Sequence, residues 1–306
     1  MEPMIQPTFR PPTPLGDLEA FVAAFAVLRR LHEACIAPGL LVVAVHDSGV
    51  VTSHVHLVDD GEHAVLGSHP RCRLRVIADP GLSTRHAVVA LARRGDGAAL
   101  QAWAVGPSGL RTADGTSWGT LLTAGPVAFA IGATRVFAFA TGPGAAAWTG
   151  EPATTWAALP PRRPPVGTVF PVRPGVSFDG DDPTAAIDPA QAGLRVRALR
   201  MGGEVIGVLQ LDLGELRAHV PVTDVGLERG VLLGRADRCD AGGRFAGLSR
   251  IHALLVARDG EVWLYDASSH NGLAVEGRPV TRCRLDGEAV VSLGRALTVT
   301  WQARGR

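Results

Sequence analysis

The chain has no lysine: all 30 of its basic residues are arginine. With 29 acidic residues the formal net charge is only +1, and no arginine block is long enough to track a nucleic-acid backbone. DNA and RNA are therefore not expected as partners. Arginine abundance in so Ala- and Gly-rich a chain reflects composition as much as function, so one arginine means little until its neighbours give it a role. Cysteine is scarce too. Cys35, Cys72, Cys239 and Cys283 lie far apart, with no C-x-x-C and no His/Cys metal spacing. Buried reduced thiols are the expectation, in keeping with a reducing cytosol, with no metal and no cofactor. The apolar stretch from Leu18 to Ile36 is broken by Glu19, Arg29, Arg30, His32 and Glu33, too polar to span a bilayer. The N-terminus has no basic segment followed by an apolar core, so no secretory signal is expected. These absences lead to the expectation of a cytoplasmic protein without a membrane partner. Paired carboxylates, a nucleotide loop and a metal set are also missing, which argues against an enzyme.

What is present suits two globular domains: 306 residues, 46% of them hydrophobic, and a mean hydropathy of +0.17. Ala253–Ala257, Val262–Tyr265 and Ala296–Trp301 are strand-length apolar runs bounded by Gly, Asp and Arg. Asp259-Gly260 is the signature of a tight hairpin turn. Short strands punctuated every ten residues or so predict an all-β sandwich. One segment differs: Leu18, Phe21, Val22, Phe25 and Leu28 fall at helical spacing, with Asp17 as the expected N-cap and Pro38 beyond the end. That predicts one amphipathic helix covering a sheet edge or a domain face. Residues 142–192 are rich in Pro, Gly and Ala, and are expected to form a semi-rigid linker.

The chain also repeats itself. Gly67 to Cys72 lies over Gly234 to Cys239, and Ser83-Thr84-Arg85-His86 over Ser249-Arg250-Ile251-His252. Further along, Trp103 lies over Trp263, Gly115 over Gly277, and Gly125–Gly132 over Gly287–Gly294. The leading strands align loosely as Gly39–Val43 over Gly193–Arg197. This divides the chain into an extension with the helix (1–38), a first sandwich (39–141), the linker (142–192) and a second sandwich (193–303).

Three islands in the second unit carry the chemistry: Gly234-Arg235, Ser249-Arg250-Ile251-His252 and Ser269-His270-Asn271-Gly272. Asn271 is the only asparagine in the chain. A guanidinium fork, a hydroxyl and a primary amide, converging from loops at one end of a sandwich, suit a phosphate monoester on a peptide. Their order and spacing resemble the forkhead-associated (FHA) family, well over 193–303 and weakly over 39–141. The resemblance implies a phosphothreonine-peptide binder. It implies that Arg235 bonds the phosphate, that Ser249 is a second phosphate donor, and that Asn271 holds the peptide backbone. His252 would be structural, and Gly234 and Gly272 would permit the turns. Arg250 would add charge at the rim. His270 stands where the family usually has a phosphate-contacting Thr, and an imidazole donates there best when protonated. Residues near 245–248 and 268–270 would set the preference for flanking residues.

In the first unit the same site is dismantled. Ser68 replaces the arginine and Gly106-Pro107-Ser108-Gly109 replaces the Asn-Gly loop, leaving only Ser83 and His86. Arg71 or Arg85 would have to supply any phosphate contact there, and the expectation is a degenerate copy kept for packing, dimerisation or phosphate-independent binding. The leading reading is a non-catalytic adaptor in Ser/Thr kinase signalling, whose partner is a phosphothreonine-containing kinase or kinase substrate. The alternative is a structural subunit using both sandwiches without phosphate. A third reading is self-association, through the first unit or through a phosphorylated Thr154, Thr155, Thr168 or Thr184 in the linker.

Overall fold

The computed structural model describes residues 15–76, 82–95, 97–145, 148, 150–160, 166–169, 194–196, 202–243, 247–286, 289–295 and 297–304. Four sheets form two sandwiches with the same strand order. In the first unit one sheet runs Val51–Leu57, Gly39–His46, Thr134–Thr141, Val127–Ile131, Leu110–Arg111, Ser117–Trp118. Its partner runs Leu74–Arg75, His63–Gly67, Ala87–Arg94, Gly97–Ala104, Thr120–Ala124. In the second unit the corresponding sheets run Leu216–Thr223, Val205–Leu213, Leu297–Ala303, Val290–Leu293, Leu273–Val275, Arg278–Val280 and Leu194–Val196, Ala241–Gly243, Val231–Leu233, Ala253–Arg258, Glu261–Asp266, Arg282–Arg284. Among the described strands only Leu194–Val196, on the edge, lacks a counterpart. The all-β, two-sandwich expectation holds, and the repeat is one of topology as well as sequence.

Two of the aligned positions are corrected. Gly39–His46 pairs with the last strand of its unit, as Val205–Leu213 does in the second. The counterpart of the leading strand is therefore 205–213, and Gly193 itself lies outside the described residues. Trp103 faces Val88 across its hairpin, whereas Tyr265 faces Leu254, the residue equivalent to Val88. Trp103 thus occupies the place of Tyr265, not of Trp263. The first hairpin is longer: Ala87–Arg94 has 8 residues where Ala253–Arg258 has 6, which moves every later match. Asp259 and Gly260, at φ +50° and +81°, make the expected tight turn.

The hydrophobic pattern of each strand records how many of its faces are buried. Val205–Leu213 alternates, with Leu209 and Leu211 in the core and Gln210 and Asp212 facing out. Ala87–Ala92 does not alternate: Ala87, Val89 and Leu91 enter the core of the first sandwich, while Val88 and Ala90 face the second unit. Leu40–Val45 is likewise buried on both sides, by the sandwich core and by a helix. Strands apolar on both faces belong in a layered stack. Here the order is helices, two sheets, then two sheets.

The central contact joins the units. Val65, Cys72, Val88, Ala90, Trp103 and Val105 pack on Cys239, Ile251, Leu254, Val256, Tyr265 and Ala267. The Trp103 and Tyr265 rings lie 5.8 Å apart and are both fully buried. Polar contacts edge this cluster. His63 Nε2 lies 3.0 Å from the Asp266 carbonyl, and Arg258 is paired with Asp60. Burial lowers the pKa of His63, and of His252 in the second core, by disfavouring the charged imidazole. Both folded values lie below the unfolded one, so stability is intact above pH 6.5 and falls as unfolded chains take up protons below it. The slope is up to about 1.4 kcal/mol per pH unit for each such histidine. Thermal melts should drop between pH 7.5 and 5.5, less steeply in His63→Gln. Superimposable melts across that range would refute this.

The N-terminal helix spans Asp17–Ala34 and buries Phe21, Phe25 and Leu28 against Phe137 and Phe139 of the sheet face. Its N-cap is Gly16, not Asp17. Glu19 accepts the Gly16 N–H at 2.7 Å, and this frees Asp17 to pair with buried Arg135 at 3.1 Å. The stretch expected to be a linker contains a helix, Pro152–Ala158, whose Trp156 ring lies tilted against Phe21 with centroids 4.8 Å apart. Val166 and Val169 bridge to Leu122 and Trp118, and Thr168 N–H bonds Thr120 Oγ1 at 3.0 Å. Thr155 is 3% exposed. Thr155 and Thr168 are thus held in structure on the first unit rather than displayed, while Thr154 is exposed on the helix. Thr184 and most of the proline run, 161–165, lie outside the described residues, as does Gly287.

Candidate functional site

At one end of the second sandwich the three islands are stitched together by hydrogen bonds. Arg235 N–H donates to the Ser249 carbonyl at 3.0 Å, and Ala236 N–H to the Arg250 carbonyl at 3.0 Å. Gly234 is required by contact: a Cβ there would collide with the Arg250 carbonyl. The Cys239 thiol donates to that same carbonyl at 3.1 Å. Arg235 is half-buried, and its guanidinium has no hydrogen-bond or ion-pair partner among the described residues.

His252 is fully buried and holds the loops apart at a set distance. Its Nδ1 accepts from Ser249 N–H at 3.1 Å, so the ring proton sits on Nε2 and is donated to the Gly272 carbonyl at 3.0 Å. Desolvation keeps the ring neutral, as this pattern requires. Ser249 Oγ accepts from His270 N–H at 2.8 Å, leaving its own proton to donate outward. Asn271 is exposed; its Nδ2 donates to the Gly247 carbonyl at 2.8 Å, which turns Oδ1 outward as an acceptor. Gly272, at φ +71°, provides the left-handed turn behind it.

Ser269 opens the third island but was given no structural role from the sequence, yet it shapes the Asn271 loop. It is 3% exposed; its N–H reaches the Asp266 carboxylate at 3.2 Å and its Oγ accepts from Gly272 N–H at 2.9 Å. The signal was present as two polar side chains three residues apart, Asp266 and Ser269, each of which caps the backbone N–H three residues on, at Ser269 and Gly272.

The first unit keeps this scaffold without its chemistry. Ser83 N–H donates to His86 Nδ1 at 3.2 Å, and Cys72 Sγ donates to the Thr84 carbonyl at 3.4 Å, as their counterparts do. Ser83 Oγ, however, turns inward to the Arg85 carbonyl at 2.6 Å, and His86 Nε2 is met by Ser108. Arg71 and Arg85 do not serve this end of the first unit. Arg85, 5% exposed, donates to the Ser268 carbonyl through Nη2 at 2.6 Å. Arg71 Nη1 donates to the carbonyls of Ser269 at 3.1 Å and His270 at 2.7 Å. Both brace the loop that carries Asn271.

The loops at this end of the β-sandwich thus carry a guanidinium, a hydroxyl and an amide on hydrogen-bonded neighbours. Residues 231–294 match the FHA domain family model. The matched FHA region begins at Val231 and ends at Gly294, so it contains all three islands. No curated protein sequence matches the chain. Among solved structures it is similar to the Slr1951 protein of Synechocystis sp., at 26% identity over 32% of this chain and 99% of that one, with TM-score 0.29. It is similar to FHA-1 of Rv1747 from Mycobacterium tuberculosis, at 22% identity over 33% and 99%, with TM-score 0.27. It is also similar to M. tuberculosis EmbR in complex with a low-affinity phosphopeptide, at 21% identity over 32% and 25%, with TM-score 0.28. At such scores the functional reading stands on the loops of this FHA region themselves. Among the described residues no His/Cys/Asp/Glu group of three is placed to hold a metal. The described helices include none long and apolar enough to cross a membrane. Burial pushes the Cys72 and Cys283 thiols up to about 11; Cys72 and Cys239 are buried as expected, whereas Cys35 and Cys283 are only half-buried.

Proposed function

We propose that this chain is a non-catalytic adaptor that recruits a phosphothreonine-containing protein, a kinase or kinase substrate, through its second sandwich. The observation that carries the reading is the half-buried Arg235 guanidinium, uncommitted among the described residues and fixed by its backbone beside Ser249. A phosphate brings about −1.5 to −2 charge and three acceptor oxygens to such a fork. Arg235 and Ser249 Oγ would hold the phosphate, Asn271 the peptide backbone, and Arg250 and His270 the rim. The first sandwich would hold no phosphothreonine in a site of its own and would act as a brace. Isothermal titration of the full chain with a degenerate phosphothreonine peptide library, against its unphosphorylated control, tests this. Binding is expected in the micromolar range only for the phosphorylated library, and equal binding of both would move the chain to the structural-subunit reading. The full chain is needed because a fragment starting near residue 193 would expose Leu254, Val256 and Tyr265 to water.

A further inference from the structure

The rim of the candidate site is not built by the second unit alone. His270 is pinned at both ends: its N–H is given to Ser249 Oγ, and its carbonyl receives Arg71 Nη1 at 2.7 Å. The Arg71 head therefore sits one residue's length from the hydroxyl that faces the anion site. Arg71 is exposed, and its Nε and Nη2 make no hydrogen bond to any described residue. Beside it, burial and then the charges of Arg85, Arg71, Arg250 and His270 lower the pKa of His69. The charges of three guanidiniums and an imidazole are thus felt at one half-buried ring, whose Nδ1 accepts the Arg71 N–H at 3.2 Å. The nearest acid on the loop, Asp266, is occupied by the Ser269 N–H. Arg85 is committed to the Ser268 carbonyl.

Resting on the phosphothreonine reading above, we propose that Arg71, with His270 and His69 beside it, forms a second anion subsite that selects peptides carrying an acidic or phosphorylated side chain close to the phosphothreonine. An extended peptide advances about 3.3–3.6 Å per residue, so a side chain one to three residues away reaches this rim. Arg71 is already held by two carbonyls, so less side-chain freedom is lost when it meets an anion. The first sandwich in this way contributes specificity to a site it does not itself possess. Its own Ser68 and closed Ser83 explain why it is retained as a partner for the second unit rather than as a second reader.

The test is a set of phosphothreonine peptides titrated into the full chain. One has alanine flanks, others place one Asp or one phosphoserine at each of three positions on either side, and an unphosphorylated peptide completes the set. An Asp or phosphoserine at one or two of these positions is expected to tighten binding by about fivefold, the upper range for an exposed charge pair. The gain should shrink between 50 and 300 mM salt. In Arg71→Gln, which removes the charge and keeps an N–H donor, the ratio of Asp-flanked to Ala-flanked affinity should collapse to about one. A gain with phosphoserine alone would assign a doubly phosphorylated partner, and a gain with both the wider acidic class. If the Ala-flanked peptide binds and no flanking anion improves it, or if Arg71→Gln keeps the ratio, the subsite is refuted while the phosphothreonine reading stands. If no phosphorylated peptide binds better than the unphosphorylated one, both fall together.

Discussion

Arg235→Ala in the full chain is expected to weaken binding of a phosphothreonine peptide by about 10- to 100-fold, with little change in melting temperature. The size follows from what is removed. A hydrogen bond to a charged group is worth about 1.5–3 kcal/mol, and each 1.4 kcal/mol is tenfold in affinity. The small effect on stability follows from the same structure. Among the described residues the guanidinium has no partner to orphan, and it is the backbone N–H, retained in alanine, that bonds the Ser249 carbonyl. Arg235→Lys should recover part of the affinity, since a point charge remains but the bidentate fork does not. Titration of the three proteins with one peptide, alongside thermal melts, checks both halves. Wild-type affinity in the alanine variant would remove Arg235 from the site. A large fall in melting temperature would show that the loss was of structure, not of a contact.

Trp103→Ala should lower stability by about 3–5 kcal/mol, the usual cost of emptying a buried indole site. Trp103 is 1% exposed, packs beside Tyr265 and lies at the centre of the cluster between the units. The cavity would therefore open at the inter-unit contact, not inside either sandwich core. Calorimetry should resolve one transition for the wild-type chain and two for the variant, as each sandwich unfolds on its own. Phosphopeptide affinity should fall as well, because the Arg71 and Arg85 bonds to the Ser268, Ser269 and His270 carbonyls depend on the same docking. An aromatic swap, Trp103→Tyr, should restore most of the stability, since it mimics the residue at the equivalent place in the second unit. A single transition within about 1 kcal/mol of wild type for Trp103→Ala would mean that the units do not depend on this contact.

Most of the scaffold could be read along the chain because it depends on local rules. The helix at Asp17–Ala34 followed from apolar spacing, although its cap did not: Asp17 was drawn away by a buried arginine 118 residues distant. The Asp259-Gly260 turn followed from the freedom of those residues at positive φ. The repeat was visible through its loop histidines and its glycines, which sit either where backbone approaches backbone, as at Gly67 and Gly234, or at positive φ, as at Gly115 and Gly277. It slipped at Trp103 because a longer hairpin shifts the match without changing the kind of residue found.

The residues of the candidate site were legible for a similar reason. Gly234, Ser249 and His252 are tied to their loops by close contacts and side-chain hydrogen bonds, and Gly272 by its positive φ, each of which few other residues satisfy. The sequence alone therefore determined the sandwich class, the repeat and the three islands. The tertiary structure alone decided what the first sandwich does. Arg71 and Arg85 act on main-chain carbonyls 183 to 199 residues away. A carbonyl belongs to every residue alike, so its capture leaves no mark on the sequence until the two sheets meet.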